Sequence, residues 1–308
     1  MATQDLVTAI QALNMAESLS RSSEQGARVQ LVDTLQSVQS LVDTMSSSQA
    51  SVVPLCLDLE GVNLSRHGTI SFIQIWIHML EQAFLVDVHT LGARAFEVSD
   101  SKGNTLRTIL ESETTQKYFF DVRNDSDALY ALFGIQLAGV KDVQLLELAS
   151  RRGPKHILNG LGNCIEQAQF LEEPALQKWQ STKQKVVKMF DSKNGGSYEI
   201  WNVRPLPQEL IDYCVGDVQF LPILVTTYES RLNVQWSERA SVETVKRLQE
   251  SRSPGYRPKG KHKLFGPKKW RFPPSPRDAR SSTTVLSLPA TGSRPATQEH
   301  IPVQHAVK

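Results

Sequence analysis

The sequence predicts a mixed α/β fold, on three observations. Three strand patterns follow one another across short turns, helix and strand then alternate, and a mainly helical stretch comes last. Residues 1–28 are polar, with Leu6, Ile10 and Leu13 spaced for a short helix or else part of a mobile segment. Leu31, Leu35, Val38, Leu41 and Val42 recur at helical spacing, so 29–46 is expected to be an amphipathic helix. The apolar run 52–57 (Val-Val-Pro-Leu-Cys-Leu) suits a buried central strand. Residues 69–78 alternate and are rich in β-branched side chains, and 83–88 (Ala-Phe-Leu-Val-Asp-Val) make a third strand, completing an antiparallel meander. A helix over 105–111, a strand over 117–120, a helix over 124–133 and a short strand over 139–142 follow, giving five strands. The chain then reads as helical to about 231, broken by a loop at 191–201, with one helix expected over 206–224. A further amphipathic helix is expected within 232–250, and 251–308 as a basic, then Ser/Thr/Pro-rich tail that is largely disordered, with 281–308 the part whose composition argues against order.

A net charge of +2 conceals an uneven distribution. Between Arg252 and Arg280 ten Lys/Arg face the single acid Asp278, so the remaining chain is near −7 and an acidic body carries a basic arm. Cys56, Cys164 and Cys214 show no zinc spacing, and His67, His78, His89 and His156 show no metal spacing. No apolar run approaches the ~18 residues of a membrane span, and no secretory signal opens the chain. These features suggest an intracellular protein, cytoplasmic or nuclear, without a membrane partner. Gly153-Pro-Lys155 lacks the glycine spacing of a phosphate loop.

The chemistry concentrates in acids placed at element ends. Asp58 and Glu60, in Leu-Asp-Leu-Glu-Gly, are two apart on a strand and project from one face, with Gly61 permitting close backbone approach. Adjacent carboxylates repel unless a cation lies between them, although two solvated acids before a turn would look the same. Tyr213 and Asp217 are four apart on a helix and share a face. Asp217 lies within an apolar stretch, where a carboxylate is costly unless paired or metal-bound. In the third segment, Asp121, Asp125 and Asp127 compete, and capping of the following helix is an ordinary role for any of them.

Together these segments resemble the DEDD superfamily of 3′–5′ exonucleases in its tyrosine-containing branch, which includes ribonuclease D, the Werner exonuclease domain and Egalitarian-like proteins. Asp58-x-Glu60 matches the first motif and Tyr213-x-x-x-Asp217 the third, preceded by Trp201-Asn-Val-Arg204-Pro-Leu206. For the second motif the family spacing selects Asp125, with Phe133 eight residues on and Asp142-Val-Gln144 nine further. The segment Gly195-Gly-Ser-Tyr-Glu199 with the basic arm is similar to fungal members. The resemblance implies a ribonuclease H-like mixed sheet over 29–231. It also implies 3′–5′ exonuclease activity on single-stranded nucleic acid, RNA somewhat favoured over DNA, with two Mg²⁺ or Mn²⁺ ions held by Asp58, Glu60, Asp125 and Asp217. In that scheme Asp58 bridges both ions, Glu60 and Asp217 complete the site that activates water, and Asp125 supports the second ion through waters. Tyr213, with an ordinary pKa of about 10, orients the attacking water.

Lys183, Lys185 or Lys188, or the arm around 259–269, are candidates for phosphate recognition, although a solvated helix face is the commoner role for any one of these lysines; the interleaved Tyr256, Phe265, Trp270 and Phe272 could stack on bases. A nuclear-localisation patch or a plain disordered tail is the competing expectation for the arm. Two departures accompany the resemblance: no ribonuclease D-like helical domain follows, and 178–198 is an extended segment before Trp201. The rival expectation is a catalytically weak adaptor that binds RNA and protein partners through the same fold. An aspartyl phosphatase would need a second Asp where Glu60 stands.

Overall fold

Arg28–Val32 (β1), Leu55–Glu60 (β2), Phe72–Ile77 (β3), Gln82–Asp87 (β4), Lys117–Phe119 (β5) and Val140–Asp142 (β6) form one sheet. Its order is β1-β4-β3-β2-β5-β6. The computed structural model describes residues 27–47, 53–191, 193 and 195–270. The expectations for 1–26 and 271–308 lie outside the described residues. The meander expected from the sequence is present: β2 pairs antiparallel with β3 and β3 with β4, while β5 runs parallel to β2 and β6 to β5.

The sheet has one strand more than the five expected, because residues 28–32 are strand and not the start of a helix. They lie parallel along the open edge of β4, which satisfies their backbone. The helix α1, Leu35–Ser46, begins only after Thr34, whose hydroxyl accepts from the Ser37 amide in a capping box. A second correction concerns 206–224. Two helices replace the one expected, Gln208–Val218 and Leu221–Glu229, the second with Pro222 in its first turn. Proline lacks an N–H and clashes with the carbonyl four residues back, so it is tolerated at a helix start but not mid-helix. By length and composition the combined stretch Gln208–Glu229 could cross a membrane, but 72% of its most apolar window is buried within the fold.

Both sheet faces are covered. Leu57, Leu59, Ile73, Ile75 and Val86 point to one side, against Val38 and Leu41 of α1, Leu110 of α2 (Leu106–Glu111) and Leu129 of α3 (Arg123–Phe133). Cys56, Asp58 and Glu60 point to the other, opposite Trp76, Gln74 and Phe72 of β3. Two apolar patches form on that side. Cys56 and Trp76 pack with Leu145 of α4 (Val143–Ser150), Ile165 of α5 (Leu161–Ala168) and Leu224. Phe72 and Leu85 pack with Val186 of α6 (Glu173–Phe190), Trp201, Leu210 and Tyr213. Gln74 separates Trp76 from Phe72 along β3, so the polar side chains fall between the patches. Gln208–Val218 and Leu221–Glu229 are α7 and α8.

Helix α9, Val234–Arg252, packs on α3, α4 and β6 and buries Arg247 and Leu248. The basic segment after it, expected as the start of a largely disordered tail, is folded over residues 253–270. The Arg66 guanidinium donates to the carbonyls of Ser251, Ser253 and Pro254. Ile157 and Phe265 form a β-bridge, and Trp270 is buried edge-on against Trp236 at 5.4 Å. Poor in apolar residues itself, this stretch seats Trp270 in the apolar cluster of the domain.

Candidate active site

Asp58 and Glu60 share the α7 side of the sheet because residues two apart on a strand do so. The turn behind them is tight: the Ser71 amide donates to the Glu60 carbonyl (2.7 Å) and Thr69 to that of Val62 (3.0 Å). A Cβ on Gly61 would lie 2.1 Å from the Thr69 carbonyl oxygen, so this position requires glycine. Helix α7 lies across β2 and β3 and presents Tyr213 and Asp217 one turn apart. Carboxylate oxygens of Asp58, Glu60 and Asp217 then lie within 4.8 Å of one another.

Helix α6 closes the other side. The Trp179 indole donates to the Gly216 carbonyl (3.1 Å), and a Cβ on Gly216 would lie only 2.8 Å from that nitrogen. This close approach brings Lys183, one turn beyond Trp179, onto the Asp217 carboxylate. Its ammonium also sits 3.9 Å from the centre of the Tyr213 ring, within cation–π range. Of the three α6 lysines expected as phosphate ligands, only Lys183 reaches the acids, whereas Lys185 and Lys188 are exposed. The sequence held a signal that distinguishes it, because Lys183 falls in the stripe of the buried Trp179 and Val186.

The three competing acids separate by their partners. Asp121 is held by a bidentate pair to Arg123 and by Arg247 at 3.7 Å. Burial pushes its pKa up, but these guanidiniums outweigh burial and hold it near 2. Asp127 accepts from the backbone N–H and the side chain of Arg66 at 2.8 and 2.6 Å. Among the described residues no cationic side chain bonds Asp125, and its Oδ1 is buried without a hydrogen-bond partner. Burial pushes its pKa up to about 7, opposed by backbone amides including that of Leu59, at the end of β2. Asp125 thus faces the cluster from the α3 side.

Burial raises Asp58 well above the usual carboxylate range, reinforced by the charges of Asp125, Glu60 and Asp217. Glu60 is raised by burial and Asp217, and Asp217 by burial against the opposing pull of Lys183 and of the Tyr213 hydroxyl bonded to it. Tyr213 itself is pushed up by burial and then by these carboxylates, so it remains a protonated donor. Several acids crowded together with one ammonium fit a divalent cation, which would neutralise them and take the unpaired Asp125 oxygen.

Neighbouring motif residues are structural. Arg204 makes a bidentate pair with Asp87 (2.6 and 2.6 Å) and lies 4.2 Å from the centre of the Phe72 ring. Asp142 accepts from the amides of Asp121, Val122 and Gln144 and from Arg247, fixing the turn that leads to Asp125. Arg66 and Arg247, which sort the acids, had no signal in the sequence. Of the four aromatics expected to stack on bases, Trp270 is buried, Tyr256 bonds Asn124 through its hydroxyl, and Phe265 is exposed. Phe272 lies outside the described residues.

Carboxylates of a strand end and of α7 converge, with Asp125 of α3 near enough to act on Asp58, in a cluster that could hold a hard cation beside a phosphate. The chain belongs to the 3′–5′ exonuclease family, whose model matches residues 29–233. Mouse and human piRNA biogenesis protein EXD1 are 29% and 30% identical to it, each over 54% of the chain. The match spans only 27% and 30% of those proteins' length. Trypanosoma brucei RNase D in complex with RNA U12 shares the fold, with a TM-score of 0.61 and 20% identity over 82% of this chain and 81% of that one. Escherichia coli RNase D, an exoribonuclease involved in structured RNA processing, is also similar, with a TM-score of 0.51 and 18% identity over 73% and 51% of the two chains.

Proposed function

We propose that this chain hydrolyses single-stranded nucleic acid from its 3′ end, RNA in preference to DNA, with two Mg²⁺ or Mn²⁺ ions held by Asp58, Glu60, Asp125 and Asp217. The observation that carries the reading is the convergence of three carboxylates within 4.8 Å on a sheet whose family is that of 3′–5′ exonucleases. Ions so bound supply an activated water and stabilise the attacking and leaving oxygens. The chain's own contribution is to hold the acids close despite their repulsion, through the β2 turn and the α6–α7 contact. Tyr213 keeps its proton and is a donor able to orient the water. Lys183, once released from Asp217, is a cation placed for the scissile phosphate. The domain assignment, 29–231 with an added helix, and an intracellular setting belong to the same proposal; three free, buried thiols support the latter.

The adaptor reading has one observation in its favour: the Lys183 ammonium competes for a carboxylate of the proposed metal site. Degradation of 3′-labelled and 5′-labelled single-stranded RNA and DNA with Mg²⁺ or Mn²⁺ decides between the two. Shortening from the 3′ end by the wild type, lost in Asp58→Ala and Asp217→Ala, supports the exonuclease. Binding without cleavage supports the adaptor.

A further inference from the structure

The folded segment 253–270 lies beside the acidic cluster. It contains Arg257, Lys259, Lys261, Lys263, Lys268 and Lys269 and no acidic residue. Its anchors reach the first turn of α3, which carries Asp125, and the loop that follows Glu60 at the end of β2. The Tyr256 hydroxyl (2.9 Å) and the Lys263 ammonium (2.6 Å) both donate to Asn124, the residue before Asp125. The Lys259 ammonium donates to Asn63 (2.9 Å), three residues after Glu60. The Leu158 amide donates to the Leu264 carbonyl and the Gly266 amide to that of His156, both at 3.0 Å.

Fixing a chain segment costs backbone entropy, and these contacts are what offset it here. What it presents outward is charge: Arg257, Lys261, Lys268 and Lys269 are exposed, and among the described residues none of these four has an acidic partner. The Phe265 ring is 48% exposed among them. The carboxylate cluster repels a polyanion, so a strand can be drawn there only if positive potential borders it.

We propose that this strap is the binding surface for the sugar-phosphate backbone of a nucleic-acid strand whose 3′ end enters the acidic cluster, with Phe265 offering a stacking face. The assignment rests on the exonuclease reading for its ligand, but its test does not depend on cleavage.

The test measures fluorescence anisotropy of a labelled single-stranded 12-mer in EDTA, across a salt series, with the full chain. Variants are Lys261→Gln/Lys268→Gln/Lys269→Gln and, as a control, Lys102→Gln, which removes an exposed lysine elsewhere. Each lost phosphate contact removes about 0.7 from the log–log salt slope of single-strand binding. The triple variant is therefore expected to lose a slope of about 2 and roughly 100-fold affinity at 0.1 M salt, while the control keeps both. Circular dichroism checks that the fold is intact. Unchanged affinity and slope in the triple variant overturn the assignment, even if the wild type is an active exonuclease, and leave the strap as a surface for an acidic protein. An equal loss in the control overturns it too. The expected loss, in a wild type that cleaves nothing, upholds the strap and removes the exonuclease reading.

Discussion

Replacing Lys183 with methionine tests the electrostatic design of the site. The ammonium lies on Asp217 and over Tyr213, and it opposes the burial that raises both Glu60 and Asp217. Breaking a buried ion pair costs about 3–5 kcal/mol. The Lys183 side chain is 22% exposed and Asp217 7%, so water recovers part of that, and about 2 kcal/mol is expected at pH 8. For a domain of this size that is a fall of roughly 4–8 °C in Tm. The cost should shrink as pH falls, because the raised carboxylates take up protons before ordinary ones do and then no longer need the ammonium. In the wild type a divalent ion must displace Lys183 from Asp217, but in Lys183→Met it need not. The variant should therefore bind Mn²⁺ about tenfold more tightly, equivalent to ~1.4 kcal/mol, and regain stability as Mn²⁺ is added. Thermal melts in EDTA and in an Mn²⁺ titration, with calorimetric binding, read both effects. A variant as stable as wild type in EDTA at pH 8, with unchanged Mn²⁺ affinity, would refute the reasoning.

Asp125→Asn should raise Tm in EDTA, because it removes an unpaired buried charge, while abolishing hydrolysis; Asp127→Asn should lower Tm by breaking the Arg66 pair. Opposite signs in the two melts are required, and equal ones would reverse the choice between these acids. Because the folded pKa of Asp125, about 7, lies above its unfolded value, the metal-free protein binds the extra proton in the folded state. Its penalty is absent below about pH 4, grows as pH rises from there to 7, and is complete above. Denaturant melts in EDTA should show that loss of stability, and saturating Mn²⁺ should abolish it. Gly61→Ala should cost about 1–3 kcal/mol by overpacking against the Thr69 carbonyl and should lower hydrolysis further by shifting Glu60. Activity per folded molecule, corrected by the melt, separates the two effects.

Local pattern carried much of the fold. The meander was legible because short runs rich in β-branched residues between turns favour strands, and all five expected strands are present, buried on both faces in β3. The errors arose where local periodicity and tertiary context disagree. Leu31 fits a helical stripe with Leu35 and Val38, yet the free edge of β4 captures 28–32 as a strand. The apolar stretch 206–224 is continuous in composition but broken at Pro222. The basic segment after α9 has no core of its own, and pairing with Arg66, Asn124 and Trp236 orders it.

For the site, the sequence alone determined that Asp58 and Glu60 share a face and that Tyr213 and Asp217 share another, since those placements follow from the periods of a strand and a helix. It also carried the spacing that singled out Asp125. Only the tertiary structure decided that these faces meet, because the packing of α7 across β2 and β3 depends on contacts between segments far apart in the chain. Tertiary structure likewise gave a physical reason for Asp125, by supplying guanidiniums to Asp121 and Asp127 and leaving the third acid without one. A carboxylate's role depends on which cation reaches it, and that is a property of the packed molecule.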